Sequence, residues 1–403
     1  MNKALLDKAV RQFTGLFKTG PSVASFAPGR IEVLGNHTDY NEGFVLSAAI
    51  DLGAFFLAAP AASETCRLFA ADMAQEAGFQ VSDLRPAREN SWANYVKGVL
   101  AGLLAASGKK PAGFNGLFLS DLPLAAGLSS SAALEMSSGL ALSALYGMSI
   151  EKLALARIGQ KAEHEYVGVK CGLLDQISSL FGKDNALVMT DFRSLEIKNI
   201  PLGGKQGPDP STPCFVVCNT GVKHTLVDSE YNERRASCEK AAAFFKSALN
   251  HPVAFLRDVS WEEWKQHSPR MDRVAAKRSA HIIGENTRVL KGAELLAAGK
   301  ANEFGKLMFE SHESSRTYFE NSCPELDFLV DTAKTVPGVL GARLSGGGFG
   351  GCALMLVESR SADQVGKSLS SAYENRFHRP CGCKAVRPSA GARLLTEERK
   401  AWK

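Results

Sequence analysis

The sequence predicts an α+β protein built from two lobes. Its 403 residues are long for a single hydrophobic core, so two domains are expected. Strand-like and helix-like segments mix without a regular βαβ rhythm, which argues against a doubly wound sheet. Residues 201–213 are dense in glycine and proline and predict a linker. We therefore place an N-terminal lobe at residues 1–205 and a C-terminal α+β lobe at residues 206–403.

The predicted elements follow from hydrophobic spacing. Short apolar runs predict strands at residues 23–27, 116–120, 186–189, 214–218 and 353–357. Helical spacing predicts helices at residues 92–104, 132–145 and 150–166, the last with Ser149 as its N-cap. The helix at 132–145 is apolar nearly all round, which indicates that it is buried.

Composition and charge narrow the function classes. The net charge of +5 is spread along the chain without a basic stripe, so nucleic acid is not an expected partner. The first residues have an amphipathic pattern, and no uncharged apolar run approaches the roughly 18–20 residues that span a bilayer. We expect a cytoplasmic monomer whose nine cysteines are free thiols. Cys381 and Cys383 lack the two-residue spacer of zinc pairs, and no structural metal is expected.

A serine-rich turn lies between the strand at 116–120 and the helix at 132–145. Gly127 allows close approach of the backbone, and three serines lead into the start of the helix. Free N–H groups and the positive end of the helix dipole suit an anion such as phosphate. The alternative is a serine-capped helix without a ligand. No Gly-Lys-Ser/Thr follows the glycine, so this is not a Walker loop.

Two other segments carry polar or glycine-rich patterns. The loop at residues 28–40 holds Arg30, Glu32, Asn36, His37, Asp39 and Tyr40. Such density suggests a hydrogen-bonding site for a polyol, with a solvated loop as the alternative. Asp175 has small and apolar neighbours and would need a cationic partner, which Arg30 could supply. The glycine run at 346–351 fits the dinucleotide pattern but opens into a strand, so close backbone contact is the preferred interpretation.

The order of these segments resembles the galactokinase family nearly from end to end. Residues 28–43 (PGRIEVLGNHTDYNEG) resemble its signature GRxNxxGEHxDYN, and residues 123–135 (PLAAGLSSSAALE) resemble its phosphate loop. Residues 162–164 and 171–176 resemble the segment that carries the catalytic aspartate. The wider family also contains homoserine kinase, mevalonate kinase and phosphomevalonate kinase. The galactokinase resemblance within it rests on residues 37–41, 175–176 and 229–231.

The resemblance implies an ATP-dependent kinase of galactose, acting at the anomeric hydroxyl in a cleft between two lobes. It implies that Asp175, beside Arg30, serves either as base or as charge stabiliser, and that Ser131 and Glu163 hold magnesium. The phosphates of ATP would contact Gly127, Leu128, Ser129, Ser130 and Ser131. Trp92 would lie beside the adenine, although its helix stripe predicts a core residue. The sugar would contact Asn36, His37, Asp39, Gly172 and Tyr231.

The chain departs from the family where RxN and GEH are Arg30-Ile-Glu32 and Gly35-Asn36-His37. The acid and the amide have changed places. Neighbouring side chains would preserve one carboxylate–amide contact, whereas separated ones would alter the pocket at the hydroxymethyl end of galactose. The alternatives are therefore a kinase of galactose, or of galacturonate or a 6-deoxy sugar. A non-catalytic sugar sensor is disfavoured because the serine loop is uninterrupted. Ala125 also replaces a phosphate-loop glycine.

Overall fold

The computed structural model describes residues 2–88, 92–108, 112–123, 127–203, 212–222 and 227–396, with the backbone alone at 227–229. Its strands are β1 (Val23–Leu34), β2 (Phe44–Pro60), β3 (Thr65–Ala70), β4 (Gln75–Gln80), β5 (Phe114–Ser120), β6 (Ala186–Asp191), β7 (Glu196–Pro201), β8 (Cys214–Asn219), β9 (Val339–Ser345), β10 (Cys352–Val357), β11 (Gly382–Val386) and β12 (Arg393–Leu394). Its helices are α1 (Lys3–Phe17), α2 (Ala93–Ser107), α3 (Ser130–Leu145), α4 (Lys152–Ala162), α5 (Leu174–Phe181), α6 (Val227–Ala248), α7 (Trp261–His267), α8 (Arg273–Ala297), α9 (Ala301–Ser314), α10 (Pro324–Ala333) and α11 (Ala362–Phe377).

The first sheet is covered on both faces. Its order is β12-β1-β2-β5-β3-β4, and β6 pairs with β2 and β7. Phe55 and Leu57 point from β2 into a core shared with α1. Phe56 and Ala58, which alternate with them, belong to the larger core with α2 to α5. Because successive side chains of a strand point to opposite faces, a strand buried on both faces is mostly apolar, as β2 is.

The second sheet has the order β11-β8-β10-β9 and packs α10 and α11 against one face. Its other face joins the core of the first sheet through Phe215, Val217 and Leu354. A further core links α6 and α8. The last strand, β12, returns to pair with β1 in the first sheet. The proposed lobe boundary between residues 205 and 206 lies outside the described residues and stays a prediction.

The structure confirms the α+β class, and each predicted strand and helix overlaps an observed one. Two local predictions were wrong. The strand expected at 23–27 continues to Leu34, so Arg30 and Glu32 lie on a strand and not in a loop. The fourth helix starts at Lys152 after Glu151, and Ser149 is not its N-cap. Its last turns, residues 163–167, widen into a π-helix.

Two of the nine cysteines are joined in a disulfide bond. A disulfide joins Cys218 of β8 to Cys383 of β11, so the expectation that all nine cysteines are free was wrong for these two. They are direct cross-strand neighbours, which brings their Cα atoms within 4.1 Å across 165 residues of sequence. The other seven cysteines lie outside this disulfide. Every helix among the described residues is too short or too polar to span a bilayer.

Candidate active site

A cavity of about 220 Å³ opens where β1, the loop before α5 and the glycine run at 346–351 meet. Its lining includes eight residues that the sequence analysis singled out: Arg30, Glu32, Asn36, His37, Asp39, Gly172, Asp175 and Tyr231. These residues come from positions as far apart as 30 and 231. The fold therefore brings the predicted sugar-binding and catalytic side chains around one space.

Arg30 and Asp175 form an ion pair in this cavity. Arg30 contacts Asp175 Oδ1 through Nε and Nη2, both at 2.7 Å, and its Nη1 donates to the carbonyl of Gly127 at 2.7 Å. Burial lowers the pKa of Arg30, but the carboxylates of Asp175 and Glu32 outweigh burial and raise it. The Ser129 hydroxyl donates to Asp175 Oδ2 at 2.5 Å. The pair is thus held rigidly beside the serine-rich turn.

The turn after β1 is shaped by two residues with positive φ. Gly35 has φ +96°, and His37 has φ +60°, a conformation that costs a non-glycine residue some strain. The imidazole of His37 lies 2.8 Å from the Tyr40 hydroxyl through Nδ1 and 3.0 Å from the carbonyl of Gly347 through Nε2. Burial lowers the pKa of His37 to about 4. A neutral ring that donates to Gly347 and accepts from Tyr40 fits both contacts.

Asp39 lies against the backbone at Gly172. A Cβ at position 172 would stand 1.8 Å from Asp39 Oδ2, so only glycine leaves room for this carboxylate. Burial, reinforced by the nearby charge of Glu32, raises the pKa of Asp39 to about 7. Gly172 therefore has a steric role that explains its presence in the cavity wall.

The exchanged residues Glu32 and Asn36 are in direct contact. Asn36 Nδ2 donates to Glu32 Oε1 at 2.8 Å. Arg343, fully buried on β9, approaches the same oxygen at 3.2 Å. The two exchanged residues therefore form one carboxylate–amide contact, the outcome expected for neighbouring side chains.

Acidic side chains cluster beside the start of α3. Glu163 lies in the π-helical turn, and the nearby side chains of Cys171 and Ser131 favour its ionised form. Burial and the charge of Asp175 raise the pKa of Glu163. Burial and the neighbouring Glu163 raise the pKa of Glu135 well above its usual value. The cluster offers hydroxyl and carboxylate oxygens close to the serine-rich turn.

Comparisons with known proteins agree with this geometry. A model of the galactokinase galactose-binding signature matches residues 11–60, and models of the GHMP kinase N-terminal and C-terminal domains match residues 94–183 and 293–375. The chain is 38% identical to a galactokinase of Glaesserella parasuis, with 92% of this chain and 94% of that protein covered. It is also 38% identical to a galactokinase of Haemophilus influenzae, with the same shares covered. The chain belongs to the galactokinase family.

A solved structure of the family has the same fold throughout. The Lactococcus lactis galactokinase complexed with galactose matches with a TM-score of 0.89 at 32% identity, over 97% of this chain and all of that one. A mevalonate kinase structure, at 18% identity, covers 92% of this chain and all of that one with a TM-score of 0.62. That second likeness concerns the fold alone. The chain is thus a sugar kinase of the galactokinase type.

The residues expected to bind the nucleotide lie next to the cavity that contains Arg30 and Asp175. Ser130 and Ser131 open α3, and Ser129 precedes it with φ +57°. Both Ser130 and Ser131 line a second cavity of about 140 Å³, together with Trp92. Trp92 is also packed into the main core, so the helix stripe predicted its packing correctly. Ala125 lies outside the described residues.

Sequence reasoning missed three buried polar residues of this galactokinase site. Glu285, Asn321 and Arg343 all contact the chain near residues 32–36. Arg343 offered a signal, because a charged residue interrupts the apolar pattern of β9. Glu285 and Asn321 lie in a polar helix and a polar loop, where nothing in the sequence separates them from exposed neighbours.

Proposed function

We propose that this chain transfers the terminal phosphoryl group of ATP to the anomeric hydroxyl of galactose, which gives galactose 1-phosphate. The observation that carries this proposal is the Arg30–Asp175 ion pair, which joins the sugar cavity to the serine-rich turn. A kinase needs a carboxylate beside the attacking hydroxyl and cationic or N–H groups beside the phosphates. This pair meets both needs at one place.

Asp175 is the residue that would face the anomeric hydroxyl. Arg30 fixes one of its oxygens and Ser129 fixes the other, so the carboxylate cannot rotate freely. Such fixed geometry serves proton abstraction as a base and also charge stabilisation during direct attack. His37, Asp39, Gly172 and Tyr231, with the exchanged Asn36 behind them, would hold the sugar hydroxyls in the remaining cavity wall.

The serine-rich turn would cradle the phosphates of ATP. Residues 127–131 lead into the N-terminus of α3, where free N–H groups and the helix dipole favour an anion. The cavity with Trp92 continues from Ser130 and Ser131 and would receive the adenine. The proposed partners are thus a small sugar and ATP, and a cytoplasmic location agrees with ATP as co-substrate. We propose that the protein is a monomer and that it has no nucleic-acid or membrane partner.

Ser131 and Glu163 fit a magnesium ion. A hydroxyl and a buried carboxylate are hard oxygen donors of the kind that this cation prefers. Burial and, after it, the nearby charge of Asp175 raise the pKa of Glu163, and a cation bound at this carboxylate would oppose both effects. When bound, magnesium neutralises charge on the transferring phosphoryl group.

Replacement of Glu163 by glutamine should raise the magnesium concentration needed for half-maximal activity by about tenfold or more. An amide is a far weaker ligand for a hard cation than a carboxylate. The matched control is Glu165→Gln, two residues away and 56% exposed, which should leave the magnesium dependence unchanged. The measurement is initial rate against magnesium at saturating sugar. An unchanged magnesium curve with a raised KM for sugar would remove Glu163 from the metal site.

The proposed substrate is tested by a coupled assay of ADP release over a panel of hexoses and uronic acids. We expect galactose to give the highest kcat/KM and galacturonate to be excluded, because Glu32 and Asp39 place carboxylates in the cavity wall. The product is identified as the 1-phosphate by phosphorus NMR. Faster turnover of galacturonate or of 6-deoxygalactose would contradict galactose as the substrate.

A further inference from the structure

The side chain of Asn36 has no free N–H donor to offer a sugar. Its two N–H groups donate to Glu32 Oε1 at 2.8 Å and to the carbonyl of Gly346 at 2.7 Å. Its Oδ1 accepts from Asn321 Nδ2 at 2.8 Å. The residue is fully buried. Every donor of this amide is therefore committed to protein atoms.

The carboxylate of Glu32, in contrast, has a protein partner at only one of its two oxygens among the described residues. Its Oε1 accepts from Asn36 and faces Arg343 at 3.2 Å. Its Oε2 makes no hydrogen bond among the described residues. The side chain keeps 5% of its surface exposed, at the cavity that it lines. One carboxylate oxygen thus remains available inside a space built for a polyol.

We propose that Glu32 is a specificity-determining residue, whose Oε2 accepts a hydrogen bond from one non-reacting hydroxyl of the sugar. Asn36 is then a positioning residue, which holds the carboxylate in place without touching the substrate. The proposal rests on the proposed function and adds to it a division of labour between the two exchanged residues.

Arg343 explains why a carboxylate is tolerated in this position. The guanidinium is fully buried and lies on β9, next to Ser345, whose hydroxyl accepts from the backbone N–H of Glu32. A buried carboxylate without a counter-charge would be costly, and this cation supplies one from the second sheet. Arg343 and Asn36 both hold Oε1, so the carboxylate is turned with Oε2 toward the cavity. The orientation needed for hydroxyl recognition exists before any sugar binds.

The test measures kcat/KM for galactose and for its 2-, 3-, 4- and 6-deoxy derivatives. Glu32→Gln should lower kcat/KM for galactose by about 10- to 100-fold relative to wild type, mainly by raising KM. This is the size of effect expected when a hydrogen bond to a charged acceptor is lost. With the one derivative that lacks the partner hydroxyl, the two proteins should differ by less than about threefold. Glu42→Gln is the matched control, since Glu42 also pairs with an arginine near this turn but does not line the cavity.

Glu32→Asp is the second variant, because it keeps the charge opposite Arg343 and retracts the carboxylate by one methylene. It should show a loss at the same hydroxyl. If each variant lowered kcat/KM by the same factor for galactose and for every deoxy derivative, no single hydroxyl would depend on Glu32. That result would overturn the assignment of Glu32. A wild-type protein that does not phosphorylate galactose would instead overturn the proposed function and this inference with it.

The positioning role of Asn36 has its own readout. Asn36→Ala should weaken discrimination at the same hydroxyl, and adding it to Glu32→Gln should cause no further loss. Additive losses from Asn36→Ala and Glu32→Gln would show that Asn36 contacts the sugar independently, which would overturn the division of labour.

Discussion

Asp175→Asn is expected to lower kcat for galactose by about 10²- to 10⁴-fold while ATP binding stays nearly intact. This is the range that a positioned general base contributes to proton transfer. The substitution removes one negative charge and little volume, and its target is an interaction made in the transition state. The measurements are kcat from the coupled assay and the affinity for ATP from calorimetry.

The fold should survive this change. The side chain of Asp175 is 25% exposed, and Arg30 keeps its bond to the carbonyl of Gly127. Asp184→Asn is the matched control, because Asp184 is exposed and accepts a hydrogen bond from the backbone N–H of Ala390. It should leave kcat unchanged. Retention by Asp175→Asn of more than about a tenth of wild-type kcat, which corresponds to only ~1.4 kcal/mol, would show that the assigned role is wrong.

The regular elements were predictable where apolar residues alone define them. The strand expected at 116–120 lies within β5, and the helix expected at 132–145 lies within α3. Both segments are rich in apolar residues because both are largely buried. In such segments the local pattern and the tertiary environment agree, so sequence reasoning succeeds.

The site was predictable only where a family motif marks it. Arg30 and Glu32 interrupt the apolar pattern of β1, and the strand predicted from a short apolar run spans only residues 23–27. Their charges are balanced by Asp175 and Arg343, which lie 145 and 311 residues further along the chain. A local sequence pattern cannot predict contacts between residues so far apart in the chain. The same is true of the pairing of β12 with β1.

The exchange of Glu32 and Asn36 shows what the structure adds to a motif. A position-by-position comparison with the family marks two departures and suggests an altered pocket. The hydrogen bond between the two side chains makes them one structural unit in which an acid and an amide have traded places. Whether a substitution alters specificity therefore depends on the contact that it preserves, and not on the residue type alone.

Glu285→Gln is expected to destabilise the fold by about 3–5 kcal/mol and to raise the KM for galactose. Glu285 is fully buried on α8 and accepts from the backbone N–H groups of Gly35 and Asn36 at 3.0 and 3.1 Å. It also accepts from Ser311 and pairs with Arg288. Burial opposes ionisation, but the charge of Arg288 outweighs it and lowers the pKa of Glu285. Loss of one partner of a buried ion pair carries a cost of this size.

The effect on KM follows from the turn that Glu285 holds. Gly35 and His37 both have positive φ, and the carboxylate fixes the two N–H groups at the start of that turn. Glutamine would direct an N–H group or a weaker acceptor at these donors, so the turn that carries His37 and Asp39 would lose its support. Glu294→Gln is the matched control, since Glu294 lies on the same helix in an i,i+3 pair with Lys291 but is 71% exposed.

The measurements are the thermal midpoint and, well below it, the KM values for galactose and for ATP. We expect Glu285→Gln to lower the midpoint by several degrees and to raise only the galactose KM, while Glu294→Gln changes none of the three. Because ATP would bind around α3, far in sequence from this turn, general loosening of the fold would raise both KM values together. A lowered midpoint with an unchanged galactose KM would show that Glu285 stabilises the fold without supporting the sugar site.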